Sequence, residues 1–238
     1  AFQARRFRVA AVPLLQSLKL KARLDAGQLA LSDLDVGWGG GHSTGSAGLD
    51  LRQQPLRSEA KLETRGVRIE ALFPANAGKQ RITGELRGRS ALKAVGDDVA
   101  AMRVSLSGTV SAVLSAGTIP SLLDAQMGLS VGKLVRTFIS GSEALPLPCA
   151  AVHAELGGGL ARLRGLVIDS ANTRVTGSGV VDLRDGSIDV KLTPESKRPG
   201  LFELQKSIRL SGRPPKLDKA MVDRMAPLKV TDCDAGKP

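Results

Sequence analysis

Apolar and polar residues alternate with a period of two along much of this chain, the spacing of strands with one buried and one solvated face. Leu18, Leu20, Ala22 and Leu24 alternate with Lys19, Lys21 and Arg23. After a turn at Ala26-Gly27 the same alternation returns at Leu29 and Leu31. Val110, Ala112 and Leu114 alternate up to Gly117. The sharpest local signal runs from Arg174 to Thr193. There Val175, Val181 and Leu183 share a face with Gly177 and Gly179, and Asp185-Gly186 is a strong type I′ hairpin dipeptide. A two-residue turn at that point pairs Leu183 with Ile188, Val181 with Val190 and Gly179 with Leu192, all on one face. Thr176, Asp182, Asp189 and Lys191 fall on the other.

Helical signals interrupt the strands. Asp97 or Asp98 can cap a short helix carrying Val99, Met102 and Leu106, with Gly108 as its stop. Pro120 to Gln126 begins a second. Val131, Leu134, Val135, Phe138 and Ile139 have helical spacing in a third, and Leu217 to Met225 is a weaker fourth. Gly37 to Gly48, which holds Trp38 and His42, reads as a loop or a bulged strand. An internal echo links Arg65 to Glu70 and Arg81 to Leu86 with Arg164 to Asp169 and Arg174 to Gly177, as stacked β units would produce. The fold class is therefore mainly β with a few short helices. Residues 1–96 form an N-terminal β portion and 97–238 a β portion with helices, within one continuous sheet domain. A sheet with one apolar face must cover it with helices or a second sheet. Left open, such a face is a groove for acyl chains or a partner protein.

Composition narrows the function classes. The chain has 238 residues, 42% of them hydrophobic, but only 3% aromatic and no Tyr, so its core is built from Leu, Val, Ile and Ala. A net charge of +11 and a pI near 10.2 favour a polyanionic partner such as nucleic acid or anionic headgroups. The charge is dispersed, however, with short clusters at Arg5-Arg6-Arg8, Lys197-Arg198 and Arg213 to Lys216. One Trp and five Phe are too few to interleave stacking aromatics with the basic residues, which argues against nucleic acid. No stretch approaches the roughly 18–20 apolar residues that span a bilayer. The sequence opens without Met or a signal peptide, so an anchor or export signal is expected upstream.

Catalytic chemistry finds no support. The two histidines are His42 and His153. Cys149 and His153 share a strand face but stand roughly 13 Å apart along it, too far for proton transfer. Gly157-Gly158-Gly159 lacks the Lys and Ser/Thr of a phosphate loop, and Gly177-Ser178-Gly179 is not a nucleophile elbow. No metal-ligand spacing occurs. The expectation is a non-enzyme with no cofactor and no metal. Cys149 and Cys233 are the only cysteines, and an isolated even pair points to one disulfide and an oxidising compartment. Two buried free thiols are the alternative.

Several segments together resemble the C-terminal region of AsmA-family proteins. These are Leu147-Pro148-Cys149-Ala150-Ala151, Gly165 to Ser170, Thr173 to Gly179, Val181-Asp182-Leu183, Ile188 to Pro194 and Ile208 to Gly212. Ser105 to Gly108, Gly117-Thr118-Ile119 and Asp232-Cys233 add to the resemblance. It is most specific from about residue 97 to 212 and weaker over 1–96. It implies a periplasmic module of a Gram-negative envelope protein, held to the inner membrane by an N-terminal helix. It further implies a curved antiparallel sheet with an open apolar groove capped by helices, and a role in phospholipid transport toward the outer membrane. The expected partners are phospholipid acyl chains and an envelope protein. The expected groove lining is Leu18, Leu20, Leu24, Val110, Leu114, Val175, Val181, Leu183, Ile188, Val190 and Leu192. In this setting Cys149 and Cys233 act as a staple.

Overall fold

Each strand pairs with its neighbours in sequence, so a single antiparallel meander builds the whole architecture. The computed structural model describes residues 2–5, 15–72, 82–120, 144–197, 206–214, 216–223 and 233. In chain order the strands are β1 (Phe2–Arg5), β2 (Leu15–Asp25), β3 (Gln28–Trp38), β4 (Gly41–Asp50), β5 (Arg57–Arg68), β6 (Thr83–Val95), β7 (Ser107–Pro120), β8 (Ala144–Gly157), β9 (Leu160–Asp169), β10 (Thr173–Asp182), β11 (Ile188–Ser196), β12 (Ser207–Arg213) and β13 (Lys216–Val222). They form one 13-stranded open sheet in sequential order. The sheet is curved. Among the described residues one helix, α1 (Val99–Ser105), crosses from β6 to β7, and a 3-10 turn spans Ile69–Leu72.

Bulges keep the faces of these strands in phase. Leu29 and Leu31 are odd-numbered, whereas Leu34, Val36 and Trp38 are even, so a regular strand would split them between two faces. A bulge on β3 at Asp33, with φ of 51°, absorbs one residue and returns all five to the same side. The register shift on β9 between Leu163 and Leu166 does the same, as does that on β5 between Thr64 and Val67. Each of these three bulges has a charged residue held on the polar side. Asp33 pairs with Lys21 at 2.6 Å, Arg65 with Glu63 at 2.7 Å and Arg164 with Glu155 at 2.8 Å.

Two parts of the sheet are copies of each other. Gly27 to Arg52 aligns without a gap on Gly159 to Arg184, sharing Leu31/Leu163, Leu34/Leu166, Thr44-Gly45-Ser46/Thr176-Gly177-Ser178 and Asp50-Leu51-Arg52/Asp182-Leu183-Arg184. The structures agree in hydrogen-bond detail. Leu51 N–H donates to Gly27 O and Leu183 N–H to Gly159 O, both at 2.8 Å. Arg52 grips Asp50 through its backbone N–H, Nε and Nη2, and Arg184 grips Asp182 through the same three donors. The Asp33 bulge falls at the position of Gly165 in the β9 bulge. Strands β3 and β4 thus correspond to β9 and β10, and by their place in the ladder β2, β5 and β6 stand where β8, β11 and β12 do. This register replaces the echo read from the sequence, which had matched Arg65 to Leu86 with Arg164 to Gly177 through their alternation alone.

Other expectations are corrected. The Asp185-Gly186 hairpin does not have a two-residue turn. Val181 pairs with Ile188, Gly179 with Val190 and Gly177 with Leu192, and Asp182 N–H donates to Ser187 O across the loop Leu183–Gly186. The Asp182–Arg184 grip and the Leu183 bond to Gly159 O draw Leu183 out of the ladder. The shift is two residues, so faces are preserved although partners change. Leu217 to Met225 is not helical over its described part, because β13 pairs with β12 there. Gly37 to Gly48 is two strands joined by a tight turn at Gly39-Gly40, whose φ values of 56° and 81° suit glycine. The helix capped by Asp98 forms, with Ala101 N–H donating to Asp98 Oδ1 at 2.7 Å, but it ends at Ser105 and Gly108 belongs to β7. It buries none of its residues. The helices expected at Pro120 to Gln126 and Val131 to Ile139 lie outside the described residues, apart from Pro120, the last residue of β7.

The packed part of the sheet centres on β7–β12. Cys149 and Cys233 are disulfide-bonded with a Cα–Cα distance of 5.7 Å, and they pack with Ala151 and Val167 against Val113. Along the same face Thr176, Thr193 and Ser207 are buried. On the opposite face Val67, Val175 and Ile208 are buried. Here the sheet is covered on both sides. Truncating Val167, fully buried against the disulfide, to Ala is expected to cost about 2–3 kcal/mol in denaturant unfolding. Replacing both cysteines by Ser should cost about 4–5 kcal/mol on chain-entropy grounds, given the 84-residue separation. Two freely alkylated thiols in exported protein would overturn the pairing.

The Arg grips set a pH dependence. The guanidinium and then the backbone N–H of Arg52 hold the Asp50 carboxyl far below its ordinary value, and Arg184 lowers that of Asp182 in the same way. A lowered folded-state value stabilises the fold above the ordinary carboxylate range near pH 4 and loses that contribution as the pH falls below it. The Tm of Asp182→Asn should lie below that of the wild type at pH 7, and the gap should close on acidification below about pH 4. A gap independent of pH would contradict this.

Candidate functional site

Cross-strand partners point to the same side, so the ladder assigns every side chain to a face. One row reads Leu18, Val36, Ser43, Thr64, Gly88, Ala112, Val152, Leu166, Gly177, Leu192, Ile208. The neighbouring row reads Leu34, Gly45, Leu62, Ser90, Val110, Ala154, Leu163, Gly179, Val190, Leu210. A third runs Val67, Leu86, Leu114, Ala150, Ile168, Val175, Pro194. None of these rows contains a charged residue. Among the described strand residues the first charge on this face is Lys219, the partner of Leu210 on β13.

The opposite face carries the ion pairs. Arg23–Asp25, Arg65–Glu63, Arg87–Glu85, Arg164–Glu155 and Arg209–Asp189 all lie on it, and His42 Nδ1 is 2.9 Å from Asp35 Oδ1. Guanidinium hydrogen bonds lower the carboxyls of Glu63 and Asp189 from their ordinary values. These pairs are solvent-exposed and contribute little stability individually. Their effect is to keep charge off the apolar face.

Of the residues expected to line a groove, the ladder brings Leu18, Leu20, Leu24, Val110, Leu114, Val175, Val181, Ile188, Val190 and Leu192 to the apolar face. Leu183 is not among them, since it lies in the β10–β11 loop. Burial along this face is graded. Val175 is 1% exposed, whereas Leu24, near the β2–β3 turn, is 67% exposed. The face therefore opens toward the rim formed by the β2–β3, β4–β5 and β6–β7 connections. A hollow of about 510 Å³ lies at that rim, lined by Leu29, Leu49 and Ala94 but also by the charged Asp50, Arg57 and Lys93.

The sequence reading missed one polar feature of the apolar face. Trp38 Nε1–H donates to Ser43 Oγ at 2.8 Å, and Ser43 Oγ is 2.8 Å from Thr64 Oγ1. In the second copy the positions of Ser43 and Thr64 are held by Val175 and Pro194, so the hydroxyl pair belongs to the first copy alone. The signal available in the sequence was the Asp-Leu-Arg repeat, which fixes the alignment that exposes the difference. Among the described residues no acid–base or nucleophile constellation appears on the apolar face. Cys149 is in the disulfide, and His153 lies on the polar face bonded to Ser111.

An open antiparallel meander with one uncharged face and one ion-paired face defines an amphipathic β-sheet module. The AsmA family model matches residues 1–166, and the chain belongs to the AsmA family. The match covers the N-terminal part, where the resemblance read from the sequence was weaker, and stops short of much of the segment where it was stronger. A curated relative, AsmA family protein YhjG of Escherichia coli strain K12, is 24% identical over 211 residues. The alignment covers 89% of this chain and 31% of the relative, so the chain spans about a third of that relative's length. No solved structure matches. Membership supports a general envelope-associated role, and the disulfide fits an extracytoplasmic setting.

Proposed function

We propose that this chain is a non-catalytic, periplasmic module whose apolar face shields phospholipid acyl chains during transport toward the outer membrane. In this reading the parent protein is anchored in the inner membrane. The observation that carries the proposal is the unbroken run of uncharged side chains from β2 to β12, exposed at one rim at Leu24 and buried at Val175 and Ile208. An alkyl chain gains about 0.8 kcal/mol per buried methylene on such a surface and needs no specific polar contact, so a face without charge suits a moving ligand. In this reading the apolar face is the concave side of the curved sheet. Anionic headgroups would stay at the open rim, in water.

A second reading rests on the sheet edge. β13 is exposed along most of its length and among the described residues pairs only with β12, so an envelope protein could add a strand there, as an assembly factor or scaffold would require. Charge on the apolar face separates the two readings. Leu62→Glu and Val110→Glu, at half-buried positions, are expected to abolish co-purification of phospholipid in native mass spectrometry while strand content by circular dichroism persists. Lipid-free wild-type protein from a bacterial envelope would count against the acyl reading, and partner capture retained by both variants would favour the edge.

A further inference from the structure

A second hollow, of about 400 Å³, lies largely on the ion-paired face, with Glu63, Arg65, Arg87, Arg89 and Ser111 among its lining residues. Its arginines come from two adjacent strands, β5 and β6. Arg65 Nη2 meets Glu63 Oε1 at 2.7 Å, Arg89 Nη2 meets the same oxygen at 3.4 Å, and Arg87 Nε meets Glu85 Oε1 at 3.0 Å. Three guanidinium groups thus face two carboxylates and leave a positive excess. A guanidinium carries five donors, and these contacts use only some of them. The arginine side chains are 65–80% exposed, within reach of a ligand from solvent. Beside them on β7, Ser111 Oγ is 2.8 Å from Nδ1 of His153 on β8. With Nδ1–H donating, the serine hydroxyl proton is free to point at an anion.

The duplication supplies an internal control. Glu63 and Arg89 are cross-strand partners on β5 and β6. Thr44 partners Glu63, and its counterpart Thr176 partners Thr193, so Thr193 occupies the position of Glu63. Across from Thr193, where the first copy has Arg89, stands Ser207, and the two hydroxyls lie 2.8 Å apart and buried. The same place in the ladder is therefore satisfied by a neutral, sealed pair in one copy and by an open, charged group in the other. The fold does not require the charges at this point.

We infer that Arg65, Arg87, Arg89 and Ser111 form an anion site for a phosphate group, on the face opposite the apolar one. The guanidinium fork matches phosphate oxygens bidentately, and a hydroxyl donor completes a cradle that a carboxylate would fill less well. The site does not depend on acyl-chain binding, because it uses the other face of the sheet. The phosphate can belong to a soluble phosphate ester or to a lipid headgroup presented at a membrane surface.

The test titrates the intact chain with inorganic phosphate by calorimetry. In parallel it measures co-sedimentation with phosphatidylglycerol-containing and pure phosphatidylcholine vesicles. Wild type, Arg87→Gln/Arg89→Gln, Ser111→Ala and Arg209→Gln are compared, the last removing a charge elsewhere on the same face. All four altered residues sit on the polar face, and unchanged thermal melts would show that the fold is intact. Saturable phosphate binding, weakened about tenfold or more in the double arginine variant and untouched by Arg209→Gln, is the expected result. Added selective sedimentation with phosphatidylglycerol vesicles, lost in the same variant, identifies a headgroup, and phosphate binding alone identifies a soluble ester. Absence of saturable binding in every arm, or equal losses in Arg209→Gln and the double variant, overturns the site. Lipid co-purification should be unchanged in Arg87→Gln/Arg89→Gln, which separates failure here from failure of the acyl-chain reading.

Discussion

Everything in this molecule depends on the phase of the pleat. In a sheet the side-chain period is two, so one inserted residue sends all later side chains to the wrong face. The chain is a long meander in which each strand inherits its faces from the one before. A phase error at β3 would propagate through ten further strands. The bulges at Asp33, Arg65-Gly66 and Arg164 correct the phase within a strand, and an ion pair holds each bulge on the polar side. A continuous uncharged face is the product of those corrections as much as of the alternation itself.

The same constraint explains how a chain with few aromatics holds together. Among the described residues the most deeply buried side chains are small, such as Val67, Val167, Val175, Thr173 and Thr193, with the larger Ile119 and Leu147 nearly as buried. Cohesion comes from ladder hydrogen bonds between sequence neighbours, and from one region where both faces are covered and the disulfide closes a long loop. Away from that region the apolar face grades into exposure at the rim. Stability is thereby concentrated near β7–β12, while the open part of the face stays accessible. This division suits an envelope-associated protein of the AsmA family.

Much of the fold was legible because alternation is a local signal. The one-faced character of β2, β7, β10 and β11 follows directly from the residues, and the Asp98 cap was readable from its acid. Partner assignments were less legible. Asp185-Gly186 invites a two-residue turn, but the Arg184 grip on Asp182 and the bond from Leu183 N–H to Gly159 O impose a longer loop, and that second bond comes from a different hairpin. Leu217 to Met225 carries a helical pattern, yet pairing with β12 makes its described part an edge strand. Propensity lost there to the hydrogen bonds on offer from an existing edge. The true internal repeat was hidden because alternating strands resemble one another in any register, and only the recurring grips and bulges single one out.

By itself the sequence determined that this is a β-rich chain with an amphipathic sheet, no catalytic or metal-binding pattern and a cysteine pair suited to an oxidising compartment. Those properties reside in residue type and short-range spacing, which need no knowledge of distant contacts. Only the tertiary structure decided the order of the sheet, the pairing of Cys149 with Cys233, the removal of Leu183 from the apolar face and the gathering of Arg65, Arg87, Arg89 and Ser111 on the other. Each of these depends on register between strands. Register is fixed by bulges and turns acting together across the sheet, and no single segment contains that information.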